Sequence, residues 1–297
     1  MYKALVSVVI NCYNGEKYLS DSINSAINQT YKNLEIIVWD NCSTDKSKII
    51  ISNFKDKRIN YYLSEKYTTQ YEARRRAMKK CNGEFIAFLD VDDYWDRNKL
   101  AKQIPFFENP DVGFVCSNAW IVDNRKNKKY RAFSKLPSGK VLNDLLKKNF
   151  VTMSSLVVRR SEYMSLKTGF NPSYEIIGDF DLLLRLSLTS NLASVNEQLT
   201  YYRWHSENLR FKQLEKNIFE LDKLFGELKK DRRVTIEKNF DLFFNNIQFN
   251  KGIVNILKNK RLDCFKIIRN MTSKYHIFKM FVTLILPKKI ILIYRNR

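Results

Sequence analysis

An α/β fold with a mainly parallel central sheet flanked by helices is what this sequence predicts, on three observations. Short runs rich in β-branched and aromatic residues alternate with helical patterns through the first third of the chain. The runs are apolar throughout rather than alternating, as strands covered on both faces must be. Each of three runs ends in a polar cluster, at 11–14, 40–45 and 90–93.

The elements follow in order. Val6 to Ile10 reads as a first buried strand, and a helical pattern runs from about Tyr18 to Asn28. LEIIVW at 34–39 is a second strand, followed by a helix through Ile51. Strands at 59–63 and 85–89 bracket a helix over 72–80. GFVCSNAWIV at 113–122 and MSSLVV at 153–158 extend the sheet, and the polar, basic stretch 124–140 between them is expected to be a mobile loop. DFDLLLRLSL at 179–188 has helical spacing, with Asp181 and Arg185 one turn apart. After YYRWH at 201–205 strand signals give way to amphipathic helices, which places a boundary near 206. The chain is thus expected to divide into an α/β domain at 1–205, with halves 1–96 and 97–205, and a helical, basic extension at 206–297. Ligands of open parallel sheets bind beyond the carboxyl ends of the strands, so the three polar clusters should converge on one crevice.

Composition narrows the class. With 44% hydrophobic and 28% charged residues the chain is neither disordered nor repetitive. Five cysteines without a CxxC pair argue against a disulfide framework or a zinc site, and fit a reducing compartment. The N-terminal apolar run is short and lacks a cleavage site, and no uninterrupted apolar stretch reaches the roughly 18 residues of a spanning helix. The net charge of +21 is the outlier and suits an anionic partner: nucleic acid, a phospholipid surface or a phosphorylated substrate. Part of the excess is local, since 258–297 holds eleven Lys or Arg against one acid, Asp263.

The sharpest local feature is EFIAFLDVDDYWD at 84–96, where an apolar run stops at Asp90, Asp92 and Asp93. Carboxylates this close repel one another. A divalent cation relieves that repulsion, and Mg²⁺ or Mn²⁺ typically binds one or two carboxylates together with substrate phosphates. The competing reading is a solvated turn whose acids cap the next helix.

Taken together, VSVVINCYNGEKYL, LEIIVWDNCSTD and GEFIAFLDVDDYW resemble the bacterial family 2 glycosyltransferases of the GT-A fold, closely over residues 5–96 and more weakly to about 210. The resemblance implies transfer of a sugar from a nucleotide-sugar donor, here a UDP-sugar, with inversion at the anomeric carbon and a divalent metal, Mn²⁺ or Mg²⁺, at the DxD motif. By the same resemblance Asn11 and Tyr13 line the base pocket, and Asp40 and Asn41 sit beside base and ribose. Arg74 approaches a phosphate or the base, Asp90 contacts ribose and Asp92 ligates the metal. The family more often has Asp where this chain has Asn41, which leaves the choice of base open. Its catalytic carboxylate opens a helix in a Glu-Asp-x-Asp-like motif, matched here by Ile177-Gly178-Asp179-Phe180-Asp181; Asp179 is the implied base, with Gly178 where Glu is frequent. From the local sequence alone, the alternative is a helix-start acid favoured by the dipole. His205, in YYRWHSEN, resembles the family's Tyr-Arg-x-His segment, which implies contact with metal or diphosphate.

Two alternatives compete with this reading. FLDVDD resembles the strand end of Asp-x-Asp phosphohydrolases, although those carry it on the first strand rather than about the fourth. A basic nucleic-acid-binding protein would use the +21 charge, but strand-end aspartates would repel a phosphate backbone, so no nucleic acid is expected. The expected acceptor is a glycan or lipid-linked saccharide in bacterial surface polysaccharide or lipooligosaccharide assembly. The tail IFKMFVTLILPKKIILIY at 277–294 is apolar and broken by lysines and Pro287. It suits an anionic membrane interface, against the alternative of a helix packed on the catalytic domain. The expected location is therefore cytoplasmic and peripheral, on the inner face of the plasma membrane.

Overall fold

The computed structural model describes residues 4–123, 126–205 and 213–295. The boundary expected near 206 and the first two residues of the expected loop at 124–140 lie outside them. Two compact units are present, the described residues of Met1–Val141 with Phe150–Ser206 and those of Leu142–Asn149 with Glu207–Arg297.

The first unit alternates as the apolar runs require: β1 (Val6–Cys12), α1 (Leu19–Ile27), β2 (Leu34–Asp40), α2 (Ser47–Ser52), β3 (Ile59–Leu63), α3 (Gln70–Met78) and β4 (Phe85–Asp90). These four strands pair in parallel in the order β3-β2-β1-β4. Val6, Val8, Ile10, Ile36, Val38, Phe85, Ala87 and Leu89 are all buried in one core. α3 is capped at its start by Thr69, whose Oγ1 accepts from the Glu72 amide at 3.4 Å.

The second half of the sheet is mixed. β5 (Tyr94–Trp95), α4 (Lys99–Gln103) and a 3₁₀ turn (Ile104–Glu108) lead into β6 (Val112–Asp123) and β7 (Lys128–Arg131). The sheet continues β4-β8-β6-β9-β5, where β8 (Val157–Arg159) runs antiparallel to both neighbours and β9 (Asn191–Trp204) parallel to β6. α6 (Arg160–Ser165) and α7 (Gly178–Ser187) lie between β8 and β9 in the chain.

Two expectations are corrected here, and β9 is a strand that the sequence reading did not name. The stretch expected as a mobile loop holds β7, an edge strand antiparallel to β6; its four residues are all exposed and charged or tyrosine, so no apolar alternation announces it. MSSLVV is not one strand. Met153–Ser155 forms a 3₁₀ turn, and only Val157–Arg159 pairs, because Ser154 is turned to serve the end of β4. β9 is 14 residues long, yet only its last residues read as a motif. Its register against β6 slips between Ser117 and Asn118, which pair with Val195 and Gln198, so Asn196 and Glu197 bulge out and break the pattern.

The second unit gathers α5 (Leu142–Lys147), α8 (Leu214–Leu228), α9 (Arg232–Thr235), α10 (Phe240–Leu257), α11 (Asp263–Asn270), α12 (Lys274–Ile285) and α13 (Lys288–Arg295). The Asn239 side chain and amide bond Asn143, at 2.9 Å each, tying α5 to the start of α10. The apolar tail is two helices rather than one segment. Leu286, before Pro287, is extended at φ −74°, ψ 143°, as the pyrrolidine ring demands of its predecessor.

Candidate active site

Register alone brings the predicted residues together at the carboxyl ends of the parallel strands. Asn11 stands between Trp39 of β2 and Asp90 of β4, and Cys12 stands opposite Asp40. Beyond β1, Asn14 takes φ 49° and is held by Ser43 Oγ, which accepts from its amide at 3.0 Å, and by the Thr44 amide, which donates to its Oδ1 at 2.8 Å. Tyr13 is left half exposed, and its ring meets that of Tyr67, itself exposed, at 4.8 Å between centroids. Two exposed aromatic faces beside a strand tip suit the stacking of a planar base.

Asp40 is buried. Its Oδ1 accepts from the Ser43 amide at 2.8 Å, and its Oδ2 accepts from the Tyr61 hydroxyl at 2.9 Å. Burial, reinforced by the Asp40 carboxylate, raises the Tyr61 pKa and keeps that phenol a donor. Asn41 is buried too: its Nδ2 donates to Thr68 O at 2.8 Å, and its Oδ1 accepts from Thr68 N and Oγ1 at 3.2 and 3.0 Å. The amide expected beside base and ribose therefore clasps the loop that carries Tyr67.

The three aspartates have three different environments. Asp90 pairs with Arg74 of α3. Arg74 is 2% exposed, and burial alone would lower its pKa, but Asp90, Tyr71 and Asp179 around it hold it raised. Asp90 itself is pushed above the usual carboxylate range by burial and by Asp92 and Asp179, against the pull of Arg74. Asp92 Oδ2 lies 3.0 Å from His205 Nε2, and the imidazole stacks on Tyr18 at 5.5 Å. Asp93 is buried: Ser154 Oγ donates to its Oδ2 at 2.5 Å and the Arg203 amide to its Oδ1 at 3.0 Å. Its pKa is raised well above normal, first by burial and then by Asp92 and Asp90. Asp93 thus joins the end of β4 to β9, while the Asp90 and Asp92 side chains stay partly exposed at the strand tip.

Arg203 reinforces that joint. Its guanidinium lies over Tyr18 and Tyr94, at 4.9 and 4.5 Å, bonds Asp21 at 2.5 Å and donates to Asp92 O at 3.1 Å. Behind the acidic turn Trp95 Nε1 donates to Ser154 O at 2.7 Å, and Lys99 Nζ sits 4.1 Å from the Trp95 ring centre. Lys99 is fully buried and its Nζ has no hydrogen-bond partner among the described residues. Burial pushes its pKa well below the usual lysine range.

Asp179 opens α7. Its Oδ1 accepts from the Phe180 amide at 2.7 Å and from the Tyr71 hydroxyl at 3.1 Å; that hydroxyl is also 3.1 Å from Ile176 O. Tyr71 is buried, and Gly178 makes room for it: a β-carbon there would lie 2.5 Å from Tyr71 Cδ2. The missing side chain at 178 is thus the counterpart of the tyrosine ring. Tyr71 and Arg74 lie three apart on α3, one face of one helix, and the guanidinium lies 5.3 Å from the ring centre. α3 therefore holds Asp90 with one side chain and Asp179 with another. Asp181 pairs with Arg185 at 2.5 Å. Sequence reasoning missed Tyr71, Tyr67 and Ser154; only Tyr71 had a signal available, its helical spacing from Arg74.

Among the described residues no group of three or more His, Cys, Asp or Glu side chains is placed to hold a metal ion. Asp92 with His205 offers one oxygen and one nitrogen donor at 3.0 Å. That pair fits a Mg²⁺- or Mn²⁺-type ion whose remaining positions are filled by phosphate oxygens and water.

Comparison with known proteins identifies the family and the fold. The Glycosyl transferase family 2 model matches residues 7–165. The chain is 35% identical, over 217 residues, to the UDP-Glc:alpha-D-GlcNAc-diphosphoundecaprenol beta-1,3-glucosyltransferase WfaP of Escherichia coli, covering 71% of this chain and 82% of that protein. A crystal structure of S. aureus TarS 1-349 with UDP-GlcNAc superposes with TM-score 0.70 at 17% identity, covering 90% of this chain and 81% of that one. A longer TarS chain is matched over 43% of its length. The mannosyltransferase PcManGT of Pyrobaculum calidifontis, in complex with GDP-Man and Mn2+, superposes with TM-score 0.62 at 13% identity over 96% of this chain and 88% of that one. At such identities the two structures establish a shared fold, that of GT-A glycosyltransferases. The chain belongs to glycosyltransferase family 2, and is a glycosyltransferase.

Proposed function

We propose that the chain is a metal-dependent, inverting transferase that moves a sugar from a UDP-sugar to a saccharide carried on a diphosphate-linked lipid, on the cytoplasmic side of a membrane in surface-polysaccharide assembly. The donor and acceptor classes rest on the relative WfaP, whose name gives UDP-Glc and a diphosphoundecaprenol-linked GlcNAc. Family membership supports this reading over the phosphohydrolase alternative.

The observation that carries the mechanism is α3, whose Arg74 and Tyr71 fix Asp90 and Asp179 on one network. Tyr13 and Tyr67 stack the base, Asp40 and Asn41 shape its pocket, Asn11 lies at the strand tip beside it, and Asp90 bonds the ribose. Asp92 and His205 would hold a divalent metal, which when bound would supply positive charge beside the departing diphosphate. Asp179 accepts the proton of the acceptor hydroxyl as that oxygen bonds the anomeric carbon and the bond to the diphosphate oxygen breaks. One base on the face opposite the leaving group gives inversion.

The test is donor binding and turnover. Thermal unfolding should rise with UDP-sugars in Mn²⁺ more than with GDP- or dTDP-sugars, and the lipid-linked acceptor should release UDP. Equal stabilisation by every nucleotide, with and without metal, overturns the reading.

A further inference from the structure

Resting on that reading of the acceptor, we propose that the second unit carries a docking surface for an anionic lipid bilayer, built from the outer faces of α11 and α12 together. The inner face of α12 is already covered. Met280 packs onto α10 where Gly252 leaves no side chain, since a β-carbon there would lie 2.1 Å from Met280 Cε. His276 and Thr283, on the same side, are buried as well. His276 is bonded by Ser273 at 3.0 Å and Asn246 at 3.1 Å. Arg261 binds Leu284 O and Leu286 O, which anchors the C-terminal end of α12 beside the start of α11.

This fixes what the outer faces show. Phe278, Phe281, Val282 and Ile285 point outward at i, i+3, i+4, i+7 spacing, with Phe278 68% and Ile285 79% exposed. Leu262, 81% exposed, and Phe265 continue the surface onto the neighbouring helix, and the rings of Phe265 and Phe281 lie 6.3 Å apart. Six large apolar side chains on two neighbouring helices that share one core exceed the scattered exposure normal for a soluble surface. Lys266, Arg269 and Lys274 are exposed four positions from Leu262, Phe265 and Phe278 respectively, on the same helical faces, and Asp263 is the one acid from 258 to 297.

That charge selects the occupant. A basic rim around an aromatic face complements anionic headgroups, whereas a second copy of the chain would bring like charges opposite one another. No helix among the described residues is long and apolar enough to cross a membrane, so the unit lies on the bilayer. The consequence for transfer is that the enzyme is confined to the plane in which a lipid-linked acceptor diffuses.

The experiment is vesicle sedimentation of the full chain, with phosphatidylcholine alone and with a phosphatidylcholine–phosphatidylglycerol mixture. The wild type should sediment with the mixture and stay in solution with phosphatidylcholine. Phe278→Ser/Phe281→Ser should reduce the bound fraction at least tenfold, and each of Lys266→Ala and Lys274→Ala about fivefold. Both phenylalanines are exposed, so the unfolding temperature should hold. Transfer to a water-soluble short-chain acceptor should match the wild type. Equal binding to both vesicle types, or unchanged binding by the phenylalanine variant, overturns the proposal. So does a concentration-dependent dimer abolished by the same substitutions, which would assign the face to a second copy. Vesicle binding without any transfer would leave this surface standing and remove the proposed function instead.

Discussion

The Tyr71 hydroxyl donates to Asp179 Oδ1 at 3.1 Å across a gap that exists only because residue 178 is glycine. A helix-borne phenol and a helix-start carboxylate therefore form one unit. Tyr71→Phe keeps the ring and removes the donor, so kcat should fall about fivefold, the worth of about 1 kcal/mol, with KM for the donor unchanged. Gly178→Ala forces the ring away and should lower both activity and the unfolding temperature, at a cost of about 1–3 kcal/mol. A Phe variant with full kcat would show that Tyr71 only fills space.

Asp179→Asn preserves shape and the bond from the Phe180 amide but cannot take a proton. UDP-sugar binding by calorimetry should persist while turnover drops about 100- to 10,000-fold. Normal turnover would transfer the role of base to another group.

Asp92→Ala and His205→Ala each remove half of the donor pair. Each should weaken Mn²⁺-supported UDP binding by at least the roughly 10–100-fold seen when even an outer-sphere partner is lost. Metal-free binding of the nucleoside should change little, because Tyr13, Tyr67 and Asp40 are untouched. Equal losses with and without Mn²⁺ would contradict a metal role.

Lys99 is a buried amine beside Trp95 with no hydrogen-bond partner among the described residues. A cation–π contact of about 2 kcal/mol does not offset several kcal/mol for burying an unpaired ion, so burial disfavours the charged form of the native amine. Its folded pKa lies below the ordinary 10.5, so between the two values the unfolded chain holds more protons. Wild-type stability should consequently rise with pH through that window. Lys99→Met should flatten the slope and stabilise by about 1–3 kcal/mol, as denaturant titrations at neutral and alkaline pH would reveal. A destabilised variant would mean that the amine has an unseen partner.

What the sequence disclosed follows from how each element is buried. β1, β2 and β4 are covered on both faces and so read as unbroken apolar runs, and their polar ends could be assigned to one crevice before any coordinates. β7 is exposed on an edge and β9 is interrupted by Asn196 and Glu197, so neither shows a period. Within the site, residue type marked Asp90, Asp92 and Asp179, but side-chain direction is tertiary information. Nothing in DNCSTD says that Asn41 turns toward Thr68, and nothing in MSSL says that Ser154 reaches Asp93.

Asp93 is sewn on both sides, by Ser154 through one oxygen and by the Arg203 backbone through the other. Mechanically the tip of β4 and the last residues of β9 before His205 are one lever, so a nudge at either end is transmitted to the other. A laboratory-evolution campaign for new donors should therefore harvest changes at Ser154 and along the final stretch of β9, remote adjusters that re-aim the imidazole while both of its neighbours' identities stay fixed.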